Sequence, residues 1–193
     1  MKLPELKIGE LTAKIPVIQG GMGIGISLNR LAGTVAAEGG IGILSTAQIG
    51  FQEDKFQRAS VRTNLQTIKK QLDKARSFAK GGILGFNVMV ASFRYDDVVR
   101  ATVEAGADVI ISGAGLPMNL PDLVGDAKTK IAPIVSSVKA AKLILRNWAK
   151  KYNRTADFVV IEGPKAGGHL GFKADQIDEA ILGMDDEVVK FIA

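Results

Sequence analysis

Six short apolar runs recur along the chain at intervals wide enough to hold a helix: IPVIQ from Ile15, IGILS from Ile41, LGFNVMV from Leu84, DVIISG from Asp108, KIAPIVSS from Lys130 and DFVVIEG from Asp157. Each is continuously apolar rather than alternating and rich in β-branched residues, which predicts parallel strands covered on both faces. Between them, LNRLAGTVAAEGG, TNLQTIKKQLDKARSFAKGG, YDDVVRATVEAGA and SVKAAKLILRNWAKKYNR carry apolar residues at helical spacing, and two of these end on glycine pairs suited to a helix C-terminus. Trp148, inside the fourth helix, reads as a packing residue. A last helix is predicted over IDEAILGMDDEVVKFIA.

Such β/α repetition builds either a doubly wound sheet or a (β/α)8 barrel, and both put their functional loops beyond the carboxyl ends of the strands. Here GGMGIG, STAQIGF, ASF, GAGLP and PKAGGHLG follow predicted strands and converge on one rim, which favours the barrel. The fold class expected is therefore α/β, of the (β/α)8 TIM-barrel type, with about six β/α units present. Closure would need two more, and without them parallel edges stay open. Gly50 to Asn64 is a longer, more polar connection, either a lid or an external excursion, and no Pro/Ser-rich linker marks a second domain.

Composition narrows the chemistry. With 193 residues, 47% of them hydrophobic, the chain can bury a sizeable core, and its 22 glycines suit backbone that turns tightly around a ligand. The net charge of +5 is scattered, the longest basic clusters being Lys69-Lys70 and Lys150-Lys151, so no nucleic-acid partner is expected. The chain contains no cysteine and one histidine, which excludes thiolate catalysis and a multi-histidine metal site within it. No apolar run approaches membrane-spanning length and the N-terminus lacks a signal-peptide core, so a cytoplasmic protein without a membrane partner is the expectation.

Several positions could carry chemistry. GGMGIG, from Gly20 to Gly25, lies between a strand and a helix, but it is not GxGxxG in register; a flavin-facing turn or a structural glycine turn fits as well. Asn87 interrupts an apolar strand, where its amide needs partners, supplied by a ligand edge or by an internal network. His169, in the glycine-rich loop after the sixth run, is placed at the rim with a side chain suited to proton abstraction near neutral pH. Glu162 closes that strand, with Lys165 near enough in sequence for an ion pair. Ser136 and Ser137 suit a helix cap, beside Lys139.

With PVIQGGMG, GGIGILS, GFNVMV, GADVIISGAGLP, PIVSS and EGPKAGGHLG in this order, the chain resembles the nitronate monooxygenase family and the related flavin-dependent enoyl-acyl-carrier-protein reductases, over essentially its whole length. The resemblance implies residues 1–193 to be the N-terminal portion of one FMN-binding barrel domain, lacking the last two units, with a homodimer as the family's assembly. It implies Gly21, Met22 and Gly23 near the flavin, Asn87 on its polar edge, Glu162, Gly167 and Gly168 at cofactor positions, and His169 as the catalytic base. The implied reaction is oxidation of a nitronate or nitroalkane with O2 to a carbonyl compound and nitrite. Glu162 and Lys165 depart from the glutamine and glutamate common in the monooxygenases, which keeps the NAD(P)H-dependent reductase as the alternative. A third reading is an inactive ligand-binding or assembly fragment.

Overall fold

The computed structural model describes residues 3–169 and 171–192. Near the N-terminus, β1 (Leu6–Ile8) and β2 (Leu11–Ala13) form an antiparallel hairpin, with Gly9 at φ +58 in the two-residue turn. The six runs do not announce this hairpin, because each arm is only three residues long and adds few apolar positions.

The chain then alternates α1 (Asn29–Ala37), β3 (Ile41–Ser45), α2 (Ser60–Phe78), β4 (Ile83–Met89), α3 (Tyr95–Glu104), β5 (Val109–Gly113), a short α4 (Leu120–Val124), β6 (Lys130–Val135), α5 (Val138–Tyr152), β7 (Val160–Ile161) and α6 (Ile177–Ile192). Strands β3 to β7 pair in parallel and in chain order, which makes a half-barrel rather than the reversing order of a doubly wound sheet. The short α4 was not separated by the sequence pattern from its loop.

The expected first strand, IPVIQ, is a correction. It runs beside β3 but keeps only the bridge Ile18↔Ile41, with main-chain bonds from Ile41 to Val17 and from Gln19 to Ile41. Beyond that point the Gln19 side chain replaces the ladder: its Nε2 donates to the Ile43 carbonyl at 2.9 Å and its Oε1 accepts the Ile43 N–H at 3.4 Å. A side-chain amide has the same donor and acceptor as a peptide, so it completes the pairing while the main chain turns away.

Side chains sort by strand parity. Leu84, Phe86 and Val88 of β4, Ile110 of β5 and Ile131 of β6 pack outward against Ile68, Leu72, Val99, Ile144 and Trp148 of the helices. Ile41, Ile43, Val109, Ile111 and Ala132 form the inner cluster with Ile8 and Ala13 of the hairpin. Burial of such side chains is worth about 2 kcal/mol each. Asn87 has the odd parity of Ile83, so it belongs to the inner side. Trp148 is fully buried and its indole N–H reaches the Pro117 carbonyl at 2.9 Å, as a packing residue with a polar handle should.

Two aspartates repeat one device. Asp108, just ahead of β5, accepts the Leu84 N–H at 2.8 Å, and Asp157, ahead of β7, accepts the Ile131 N–H at 2.8 Å. Each fixes the start of a strand earlier in the chain. Lys130 joins this end of the sheet to the hairpin through Glu10 at 2.7 Å, and Asp157 at 3.6 Å. No helix among the described residues is long and apolar enough to cross a membrane.

Candidate functional site

The carboxyl ends of the strands, Ser45, Met89, Gly113, Val135 and Ile161, sit at one rim, and the loops that follow them enclose a cleft of ≈ 1120 Å³. Gly21, Met22, Gly23, Asn87, Glu162, Gly167, Gly168 and His169 all line it, so every site residue expected from the sequence reaches the same space. A smaller cavity of ≈ 480 Å³, bounded by Leu116, Ser136 and Ser137, meets it at Glu162 and His169.

The Gly20–Gly23 turn is held from behind by a residue the sequence did not single out. Ser27, fully buried, accepts from Gln19 Nε2 at 2.8 Å and from the Met22 N–H at 2.9 Å, and its hydroxyl donates to the Gly20 carbonyl at 3.1 Å. In front, Gly21 lies against Asn87, where a side chain on residue 21 would collide with the Asn87 Cβ and Cγ. Asn87 itself bonds Thr46 through its main-chain carbonyl, from the Thr46 N–H at 3.1 Å and hydroxyl at 3.0 Å. Of the two alternatives for its side-chain amide, an internal network is not formed among the described residues.

Glu162 does not pair with Lys165 among the described residues. Its Oε2 accepts the Gly171 N–H at 2.9 Å, while the Gly171 carbonyl accepts the Ser136 hydroxyl at 3.2 Å. These bonds tie the His169 loop to the ends of β6 and β7 from its far side; Leu170, between them, lies outside the described residues. His169 is exposed at the cleft wall, and Gly168 before it takes φ +97. Ser137 caps α5 by accepting the Ala140 N–H at 3.2 Å, as its position suggested.

One buried polar pair lies outside the site by position. Tyr95 packs behind the sheet, its hydroxyl 2.9 Å from Ser112 Oγ, and burial pushes its pKa up to about 12. No group of three or more potential metal ligands occurs among the described residues. The Gly50–Asn64 connection is a run of turns leading into α2; Phe51 packs at Gly25 and Asn64 receives the Gly50 N–H at 2.8 Å, which fixes both ends of the excursion. Phe93, which ends the ASF rim segment, and Arg94 after it also line the cleft, and Arg94 had no motif to mark it.

A parallel half-barrel whose strand-end loops gather a histidine, an amide and glycines has the layout in which β/α barrels carry their functional groups. The chain belongs to the nitronate monooxygenase family, whose family model matches residues 5–192, a family of flavin-dependent oxidoreductases. Among solved structures it is similar to FabK from Thermotoga maritima, at 25% identity and a TM-score of 0.63, covering 86% of this chain and 47% of that one. It shares its fold with the nitroalkane oxidase from Streptomyces ansochromogenes, at 17% identity and a TM-score of 0.62, covering 83% of this chain and 50% of that one. The chain thus spans about half the length of these proteins. No curated protein matches it.

Proposed function

We propose that this chain is the N-terminal portion of a single FMN-binding barrel domain, and that the domain oxidises nitronates, or nitroalkanes after loss of a proton, with O2 to carbonyl compounds and nitrite. We read it as cytoplasmic and homodimeric. The observation that carries the reading is the convergence of Gly21, Asn87, Glu162 and His169 on one cleft at the strand ends.

The residues present fit a flavin ring. The Asn87 amide offers a donor and an acceptor without an internal partner among the described residues, matching the alternating edge of such a ring. Gly21, Met22 and Gly23 line the same cleft, held by Ser27, and Gly167 and Gly168 line it without side-chain bulk. FMN, when bound, supplies the redox chemistry, and the protein supplies position and proton handling. His169 takes the α-proton of a neutral nitroalkane as the general base lining the cleft. Glu162 acts through Gly171 to keep the histidine loop at the cleft.

The deciding experiment compares nitrite release from propionate-3-nitronate with NADH consumption on a crotonyl thioester. Nitrite release supports the monooxygenase. NADH-dependent reduction with no nitrite would instead support the enoyl-acyl-carrier-protein reductase, a reading favoured by the likeness to FabK and by Glu162 and Lys165.

A further inference from the structure

The hydroxyl of Ser27 gives the hydrogen bonds behind the glycine turn a direction. We propose that Gln19 and Ser27 are positioning residues, which polarise the Gly21 and Gly23 N–H groups as a pair of main-chain donors for a carbonyl oxygen of the flavin ring. The ring as acceptor rests on the flavin reading; the relay through Gln19 and Ser27 does not.

The proton positions follow from the partners. Ile43 offers Gln19 a carbonyl at 2.9 Å and an N–H at 3.4 Å, which puts Nε2 on the carbonyl and Oε1 on the N–H. Nε2 also donates to Ser27 Oγ at 2.8 Å, and the Met22 N–H donates to the same oxygen at 2.9 Å. Two donors fill both lone pairs of the hydroxyl, so its own proton goes to the Gly20 carbonyl, 3.1 Å away. The Ser27 N–H takes the Met22 carbonyl at 3.0 Å. Ser27 thereby holds the carbonyls of residues 20 and 22 together with the N–H of residue 22.

That pattern decides where the remaining donors face. In a planar trans peptide the N–H opposes the C=O, and the peptides joining Gly20 to Gly21 and Met22 to Gly23 are both trans. The Gly21 and Gly23 N–H groups therefore point away from the buried Ser27, and both residues line the cleft. Neither N–H has a partner among the described residues. Side chains have no room at either position: a Cβ would come 2.2 Å from the Asn87 Cβ at residue 21 and 2.7 Å from the Ala47 Cβ at residue 23. A peptide whose carbonyl accepts a hydrogen bond donates more strongly through its own N–H, because bonds in a chain polarise one another. Two donors oriented in advance suit an oxygen on which negative charge develops.

In the ligand-free chain the relay is read from the Gly21 amide nitrogen, whose chemical shift reports hydrogen bonding at the preceding carbonyl. S27A removes the bond to the Gly20 carbonyl and should move that nitrogen upfield. Q19E puts an acceptor where Nε2 donated, so the Ser27 proton turns from Gly20 to the carboxylate; it should reproduce the shift, including where S27A fails to fold. Lumiflavin, a flavin ring without the ribityl phosphate, probes the acceptor. Its affinity by fluorescence titration should fall about 3- to 10-fold in both variants, the size of one lost hydrogen bond. The downshift of its ring carbonyl bands on binding should shrink with it. An unmoved Gly21 nitrogen in the folded variants overturns the proposal. So does weaker lumiflavin binding with unmoved carbonyl bands, the mark of a merely structural Ser27. No lumiflavin binding by the parent, with the Gly21 shift present, sinks the flavin reading and leaves the relay standing.

Discussion

Gly21 lies so close to Asn87 that a Cβ on residue 21 would come within 2.2 Å of the Asn87 Cβ and 2.7 Å of its Cγ. G21A therefore drives the turn away from the strand end or rotates the amide out of the cleft. Overpacking of this kind costs about 1–3 kcal/mol. The expected outcome is a lower denaturation midpoint together with weaker flavin binding by fluorescence titration; unchanged flavin affinity would detach Gly21 and Asn87 from the cofactor.

His169 lines the same cleft as that pair. H169A should lose turnover of neutral nitroalkanes by about 10²-fold or more, the scale of a general base, while preformed nitronates lose far less. Steady-state rates on both forms of one substrate measure the difference, and an equal loss on both would remove the base role.

Glu162 is an anchor before it is anything else, through its 2.9 Å bond from the Gly171 N–H. E162Q keeps an acceptor there and should leave the loop in place, whereas E162A frees it, at about 1 kcal/mol for the lost bond. Hydrogen exchange at the Gly171 amide should rise in E162A and stay near the parent rate in E162Q. Similar exchange in all three proteins would show that the bond does not hold the loop.

Glu187 of α6 accepts the Val138 N–H at the start of α5, at 2.8 Å, and this bond holds its carboxyl below the usual carboxylate range, with Lys190 assisting. A folded pKa depressed in this way gives stability that is present above the unfolded value, about 4.3, and is lost as pH falls through the folded one. Urea midpoints should fall between about pH 5 and about pH 3 in the parent and fall less steeply in E187Q. Parallel pH profiles would mean that α6 does not dock through this carboxylate.

The 193-residue chain alone should hold FMN weakly. Among the described residues no lysine lines the cleft, and the Val138 N–H, which would otherwise suit a phosphate at the start of α5, is taken by Glu187. Tight stoichiometric flavin absorbance in purified protein of verified mass would contradict this.

The sequence alone determined the order of the parallel strands β3 to β7, the helices α1, α2, α3 and α5 and the rim on which the strand-end loops gather. Continuous apolar runs and amphipathic stretches are local signals, and the βαβ geometry places every strand-end loop on one side. His169, Asn87, Glu162 and the glycines were therefore legible as a group. Tertiary structure decided what each side chain does with its neighbours. Gln19 ends the first strand by substituting its own amide for the ladder, Glu162 turns to Gly171 rather than Lys165, and Ser27 holds the glycine turn from behind. Those partners are separated by 24, 9 and 5 residues, and nothing in a local pattern selects which of several acceptors a given amide meets. Arg94 became visible for the same reason: only folding brings it to the cleft that the start of α2 also lines.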